Sequence, residues 1–218
     1  MEKVTFRKIG VKTYKPGRSF LLNKKKVIKL SANESALGYS SRVKKKLSKI
    51  SLLSKYPDSK SKSLRKEISK KFKCNFDQII CGSGSDEIIQ MVCQLFLKKS
   101  DEVIVPKFSF LMYRVYSGIV GAKIVYSKEN NFKVSINEIL KKVTPKTKIV
   151  FLANPNNPTG NSFSYLKIQK LIDNFRGIVA VDEAYFEFYK GDSFRIDTVQ
   201  NEIPDHLHWH ARLKEKEW

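Results

Sequence analysis

Cysteine is scarce and unpatterned in this chain of 218 residues: Cys74, Cys81 and Cys93 are its only three, with no CxxC spacing among them. An odd, scattered set excludes a disulfide framework and points to a reducing compartment, read here as the cytoplasm. Long apolar runs are missing too. None approaches the ~18 residues of a membrane span, and the basic first thirty residues hold no continuous apolar core of a secretory leader. Acidic side chains are half as frequent as basic ones, 21 against 42, but the deficit is local. Residues 1–73 carry 23 Lys/Arg and 4 Asp/Glu, a net +19, whereas residues 74–218 carry 19 and 17, a net +2. Runs such as Lys24-Lys25-Lys26 and Lys44-Lys45-Lys46 would attract phosphate backbones non-specifically. The region nevertheless lacks the interleaved aromatics of a base-stacking platform and any zinc-finger spacing, so no specific nucleic-acid partner is expected. Neither a GK[ST] phosphate loop nor GxGxxG is present.

What is present is a hydrophobic content of 41 %, enough for a core, arranged in alternating pieces from residue 79 onward. "QIIC" (Gln78–Cys81) reads as a strand, followed by a helix in which Ile88, Val92, Leu95 and Phe96 share one spacing. "EVIVP", "AKIVYS", "TKIVFLA" and "GIVAVD" read as further strands. Helical segments near Leu111–Gly118, at "SINEILKKV" and at "YLKIQKLIDNF" separate them. Such alternation predicts right-handed βαβ units on a mostly parallel α/β sheet. Residues 1–50 read as an irregular amino-terminal arm ending in a basic helix at Ser41–Ile50, residues 51–203 as the main domain, and residues 204–218 as an atypical tail. That tail holds all three histidines (His206, His208, His210) and both tryptophans. No carboxylate or cysteine cluster accompanies the histidines, so no metal site is expected, and the tail reads as a non-native end such as a frameshift.

Four loops at strand ends carry chemistry. "CGSGSDE" (Cys81–Glu87) turns on two glycines into a helix start near Ser85 or Asp86. Exposed amides and the helix dipole there favour an anion, although a plain glycine turn with a cap is the simpler alternative. "PKFSFLMY" offers Phe108, Phe110 and Tyr113 as aromatic plates, each with core packing as its default. "VFLANPNNPTG" runs a buried strand into a rigid turn, because Pro155 and Pro158 cannot continue a ladder. Asn156 and Asn157 are positioned there to offer amides to a ligand at the carboxyl end of a strand. Asp182, ending the strand in "AVDEAYFEF", is placed to pair with a cationic ring nitrogen, while Glu183 and Glu187 read as solvated or structural. A phosphate cradle, an aromatic plate, an amide and a buried acid together suit a phosphorylated aromatic cation such as pyridoxal 5′-phosphate.

"NPNNPTG", "VDEAYFEF", "GSGSDE" and "YPD…LRKEI", in this order, resemble the class I/II aminotransferases of fold type I, and most of all the histidinol-phosphate aminotransferase group. "LSANESALG" (Leu30–Gly38) is similar to that group's amino-terminal motif, with Ala36 where a proline is usual. The resemblance, from about residue 5 to about 200, implies the large domain of that fold, a three-layer αβα sandwich. It implies pyridoxal 5′-phosphate as cofactor, and an amino-phosphate donor with 2-oxoglutarate as substrates. By the same resemblance Asn157 and Tyr185 would bond the ring 3′-oxygen and Asp182 the ring nitrogen. Phe110 would stack on the ring, and Gly84, Ser85 and Asp86 would hold the phosphate. Tyr56 would reach the phosphate bound by a partner subunit, which implies a homodimer, and Asn33 would contact substrate.

The family's Schiff-base lysine sits in a Ser-x-x-Lys-type segment beyond the Asp-Glu-Ala-Tyr motif. Nothing after Tyr185 reads as that segment, and Lys214 and Lys216 lie in a charged tail without its serine. No catalytic residue is therefore assigned, and the chain is expected to be an inactive amino-terminal fragment. Two other expectations remain open: a related decarboxylase of a phosphorylated amino acid, and a non-catalytic module that binds polyanions through residues 1–73.

Overall fold

The computed structural model describes residues 38–50 and 54–186. They belong to two compact units, one containing residues 38–50 and 54–57, the other residues 58–186. In the first, helix α1 (Ser41–Leu47) starts where the Ser40 hydroxyl accepts the Val43 N–H at 3.2 Å. It is exposed along its length, with Lys44, Lys45 and Lys46 in its last turn. It stops short of the expected Ile50 because the Lys49 and Ile50 N–H groups bond three residues back, closing the end as tight turns.

The second unit opens with α2 (Lys62–Phe72), tied to a 3-10 turn at Phe76–Gln78 by Arg65. That guanidinium donates to the Phe76 carbonyl at 2.8 Å and lies 3.9 Å over its ring. There follow α3 (Ser85–Phe96), β1 (Glu102–Pro106), α4 (Met112–Val120) and β2 (Lys123–Ser127). A two-stranded hairpin, β3 (Glu129–Asn130) and β4 (Lys133–Val134), leads to α5 (Ile136–Leu140), β5 (Thr147–Ala153), α6 (Tyr165–Asn174) and β6 (Ile178–Asp182). Strands β2-β1-β5-β6 form one sheet in that order, every neighbouring pair parallel.

Strand alternation sorts the core onto two faces. Ile104, Val150, Leu152, Val179 and Val181 meet α5 and α6, whereas Val103, Val105, Ile149, Phe151 and Ala180 meet α3 and α4. Helices thus cover both faces of a parallel α/β sheet, as expected. Two details depart from the expected pattern. "QIIC" is no strand: Ile79 is extended, but its N–H bonds back to the Phe76 carbonyl at 3.3 Å, it joins no ladder among the described residues, and Ile80 is exposed. A β-type sequence forms a ladder only when a neighbouring strand supplies the hydrogen bonds. In α3, Ile88, Ile89, Val92 and Cys93 are buried but Leu95 and Phe96 are exposed, because among the described residues nothing covers the last turn.

The lower end of the sheet is clasped by Glu102. Its carboxylate accepts from the Thr144 hydroxyl at 2.6 Å and from the Lys123 ammonium at 3.0 Å. The Thr144 bond, then Lys123, hold this acid below its ordinary value of 4.5. The native state therefore binds fewer protons than the unfolded chain. The stabilisation is fully present above about pH 4.5 and is lost as pH falls through the folded value. Glu102→Gln is expected to flatten the acid side of a thermal-melting profile while leaving its neutral side nearly level. An unchanged acid limb would contradict this.

Candidate active site

The chain leaves β1 for α4 on one face and β5 for α6 on the other, so a crevice opens between the carboxyl ends of these two strands. This reversal of winding is where open α/β sheets bind ligands. Strands β5 and β6 end side by side, Ala153 opposite Asp182, and the Asn154 N–H donates to the Asp182 carbonyl at 2.8 Å. The polar turn after β5 therefore begins beside the acid that ends β6.

Asp182 is built in from both sides. The Ala184 N–H donates to Oδ1 at 3.0 Å, and the Tyr113 hydroxyl donates to Oδ2 at 2.8 Å. Tyr113 is fully buried, its ring stacked on Phe151 at 4.8 Å and 2° and met edge-on by Phe110 at 5.6 Å. Burial first, then the Asp182 charge, push its hydroxyl well above the ordinary tyrosine value. It thus remains a neutral donor that fixes the carboxylate. Of the three aromatic candidates, Tyr113 is core and anchor, the partly buried Phe110 lies at the crevice, and Phe108 packs edge-on to Phe132 at 4.9 Å. Tyr113, a candidate plate with core packing as its default, takes the core place.

The first loop behaves as its glycines suggest. Helix α3 starts at Ser85, with Gly84 as N-cap at φ 89°, ψ 175° and no side chain capping it. The Glu87 carboxylate reaches back to the Ser83 N–H. Ser85, Ile88, Phe151, Ala180 and Asp182 line one groove between α3 and β6, and among the described residues no lysine lines it. Asp86 Oδ1 is buried with no hydrogen-bond partner among the described residues. Burial, followed by repulsion from Asp182, raises the Asp86 carboxyl. Positive φ with an extended ψ is a glycine conformation, so Gly84→Ala is expected to cost about 1–3 kcal/mol in urea unfolding. A loss below a few tenths would contradict the observed backbone.

The Asn-Pro turn separates its asparagines. Asn154 binds the Phe163 backbone, Asn161 donates to Phe132 and Thr159, and Asn156 is buried with both ends of its amide engaged inside the protein. The expectation that Asn156 offers its amide to a ligand is thus corrected: neighbouring loops consume it. Asn157 is half-buried and has no side-chain partner among the described residues. Tyr185, three residues past Asp182, is close enough for its charge to bear on Tyr113. Glu183 is buried, not solvated.

Tyr56 belongs to the other unit and is fully exposed. Asn33, Glu187, Lys214, Lys216 and the three histidines lie outside the described residues. Gly84, Ser85, Asp86, Phe110, Asn157, Asp182 and Tyr185 all fall at or next to the carboxyl edge of the sheet or at the start of α3.

The family model for aminotransferase class I and II matches residues 25–212. The chain belongs to that family. It is 61 % identical over 204 residues to the histidinol-phosphate aminotransferase of Pelagibacter ubique, covering 90 % of this chain and 56 % of that protein. It is 37 % identical over 193 residues to the enzyme of the same name from Methanococcus maripaludis strain C5, covering 83 % and 52 %. The chain thus spans about half the length of the curated relatives it matches. Among solved structures it superposes on a Sinorhizobium meliloti histidinol-phosphate aminotransferase in complex with pyridoxal 5′-phosphate. The TM-score is 0.69 at 21 % identity, over 72 % of this chain and 44 % of that one. That likeness identifies the described sheet and its helices as part of the fold type I architecture. Among the described residues no helix is long and apolar enough to cross a membrane.

Proposed function

We propose that this aminotransferase-family chain holds pyridoxal 5′-phosphate at the carboxyl edge of its sheet, as part of an enzyme of the histidinol-phosphate aminotransferase type. Such an enzyme moves an amino group between an amino-phosphate substrate and 2-oxoglutarate. The observation that carries the reading is the carboxylate of Asp182, fixed from two sides at the end of β6 and near enough to the uncapped start of α3 to repel Asp86. The unspent amide of Asn157 extends it.

The residues fit the group on their own chemistry. A pyridinium satisfies the negative charge of Asp182 and eases the crowding that raises Asp86. A phosphate suits the amides of Ser85 and Asp86 at a helix start. When bound, the cofactor supplies an electron-withdrawing ring. The rest is the work of this chain's residues. Asp182, oriented by Tyr113, keeps a proton on the ring nitrogen. Phe110 covers one ring face. Asn157 and Tyr185 donate to the ring 3′-oxygen. Tyr56, fully exposed, is available to a second copy in a homodimer, and Asn33 contacts substrate. Among the described residues no lysine lines the groove, and nothing after Tyr185 reads as the family's Schiff-base segment, so non-covalent binding without turnover is the expectation for this chain.

Titration with pyridoxamine 5′-phosphate tests this, because it cannot condense with surface lysines. The expected result is saturable one-to-one binding, displaced by pyridoxal 5′-phosphate and little affected by inorganic phosphate. Binding that inorganic phosphate or moderate salt abolishes would reduce the site to a generic anion patch and sink the reading.

A further inference from the structure

One side chain ties together the two loops that diverge at the crevice. Asn156 is 4 % exposed. Its Nδ2 donates to the Phe108 carbonyl at 2.8 Å and to the Thr159 hydroxyl at 2.7 Å, and its Oδ1 accepts from the Ser109 hydroxyl at 2.7 Å. Its backbone is pinned as well. The N–H donates to the Asn161 carbonyl at 2.7 Å, and the carbonyl accepts the Gly160 N–H at 2.7 Å. From the far side Glu129 accepts the Phe108 N–H at 3.1 Å, and Asn161 reaches the Phe132 carbonyl, so the β3–β4 hairpin backs both loops. The loop after β1 carries Phe110 and the loop after β5 carries Asn157. The β1–β5 pairing ends at Ile104 opposite Val150, short of both residues, and beyond it the chains leave the sheet toward opposite faces.

We propose that Asn156 is a positioning residue that sets the spacing between the aromatic plate Phe110 and the ligand-facing amide of Asn157. It acts by bonding residues 108 and 109 across the crevice, and Ser109 is its partner in this task. The proposal rests on the pyridine-ring site above. A donor and an acceptor on one planar amide, both engaged with the opposite loop, fix distance and rotation together, which a single hydroxyl could not do.

The test uses the full 218-residue chain, Asn156→Ala and the milder Ser109→Ala, with two ligands: pyridoxamine 5′-phosphate and its analogue lacking the ring 3-oxygen. In the parent chain the 3-oxygen should improve affinity about tenfold. Asn156→Ala is expected to cut that ratio to about threefold, the Tyr185 bond remaining, and Ser109→Ala to reduce it less. A merely structural role would weaken both ligands alike and leave the ratio untouched, which would overturn the proposal. Amide hydrogen exchange without ligand provides the second reading: Asn156→Ala should speed exchange in residues 107–110 as well as 156–160. Unchanged exchange at 107–110 overturns the proposal whatever the ligands do. If the parent chain binds neither ligand while exchange at 107–110 still quickens, the ring site falls and the coupling of the two loops stands.

Discussion

Asp182→Asn is expected to weaken pyridoxamine 5′-phosphate binding about 100-fold, in the range found when one member of a buried, hydrogen-bonded charge pair is lost. The melting temperature should stay nearly level. The substitution is isosteric and can keep both contacts: the amide oxygen accepts from the Ala184 N–H while Nδ2 donates to the Tyr113 hydroxyl oxygen, reversing that bond. What it removes is the charge that a ring nitrogen needs in order to stay protonated. Tyr113 cannot replace that charge, because burial alone still disfavours its ionised form. Calorimetric titration beside a melting curve separates the two quantities. Equal affinity in parent and variant would mean that Asp182 does not face the ligand.

Phe151→Ala should do the reverse, damaging the fold and, through it, the site. Phe151 is 2 % exposed in the middle of β5 and carries the stacked ring of Tyr113. Truncation removes the ring and leaves a cavity beneath α4, at a cost of about 3–5 kcal/mol by analogy with other buried aromatics. Tyr113 then loses the plate that keeps its hydroxyl on Asp182, so ligand affinity falls along with stability. Urea unfolding measures the first effect, and titration at low temperature measures the second. A loss under about 1 kcal/mol would contradict the packing described here.

The parts of this molecule that were legible in the sequence are those written in local chemistry. "EVIVP", "TKIVFLA" and "IVAVD" are strands because β-branched runs bounded by turns have few other options, and Pro155 and Pro158 end β5 at the residues that cannot extend it. The start of α3 at Ser85 follows from the Gly82-x-Gly84 turn. Hidden in the sequence were choices made by distant partners. Asn156 and Asn157 are chemically alike. Only contacts to residues 108 and 109, 48 and 47 positions away, decide that one is spent internally and the other is not. Tyr113 and Asp182 are 69 positions apart, and nothing local marks their bond. "QIIC" has strand composition, but pairing depends on a neighbour that no local pattern specifies. Glu183 follows Asp182 directly, yet the end of β6 carries it inward.

The most direct test of the central claim is amide chemical-shift mapping of the isotope-labelled chain during titration with pyridoxamine 5′-phosphate. Shifts are expected to concentrate at residues 83–86, 110, 157 and 182–185, in the four loops at the start of α3 and after β1, β5 and β6. Shifts confined to the basic residues 38–50 and 54–73 would contradict it, and would make this chain a polyanion binder carried on an aminotransferase sheet.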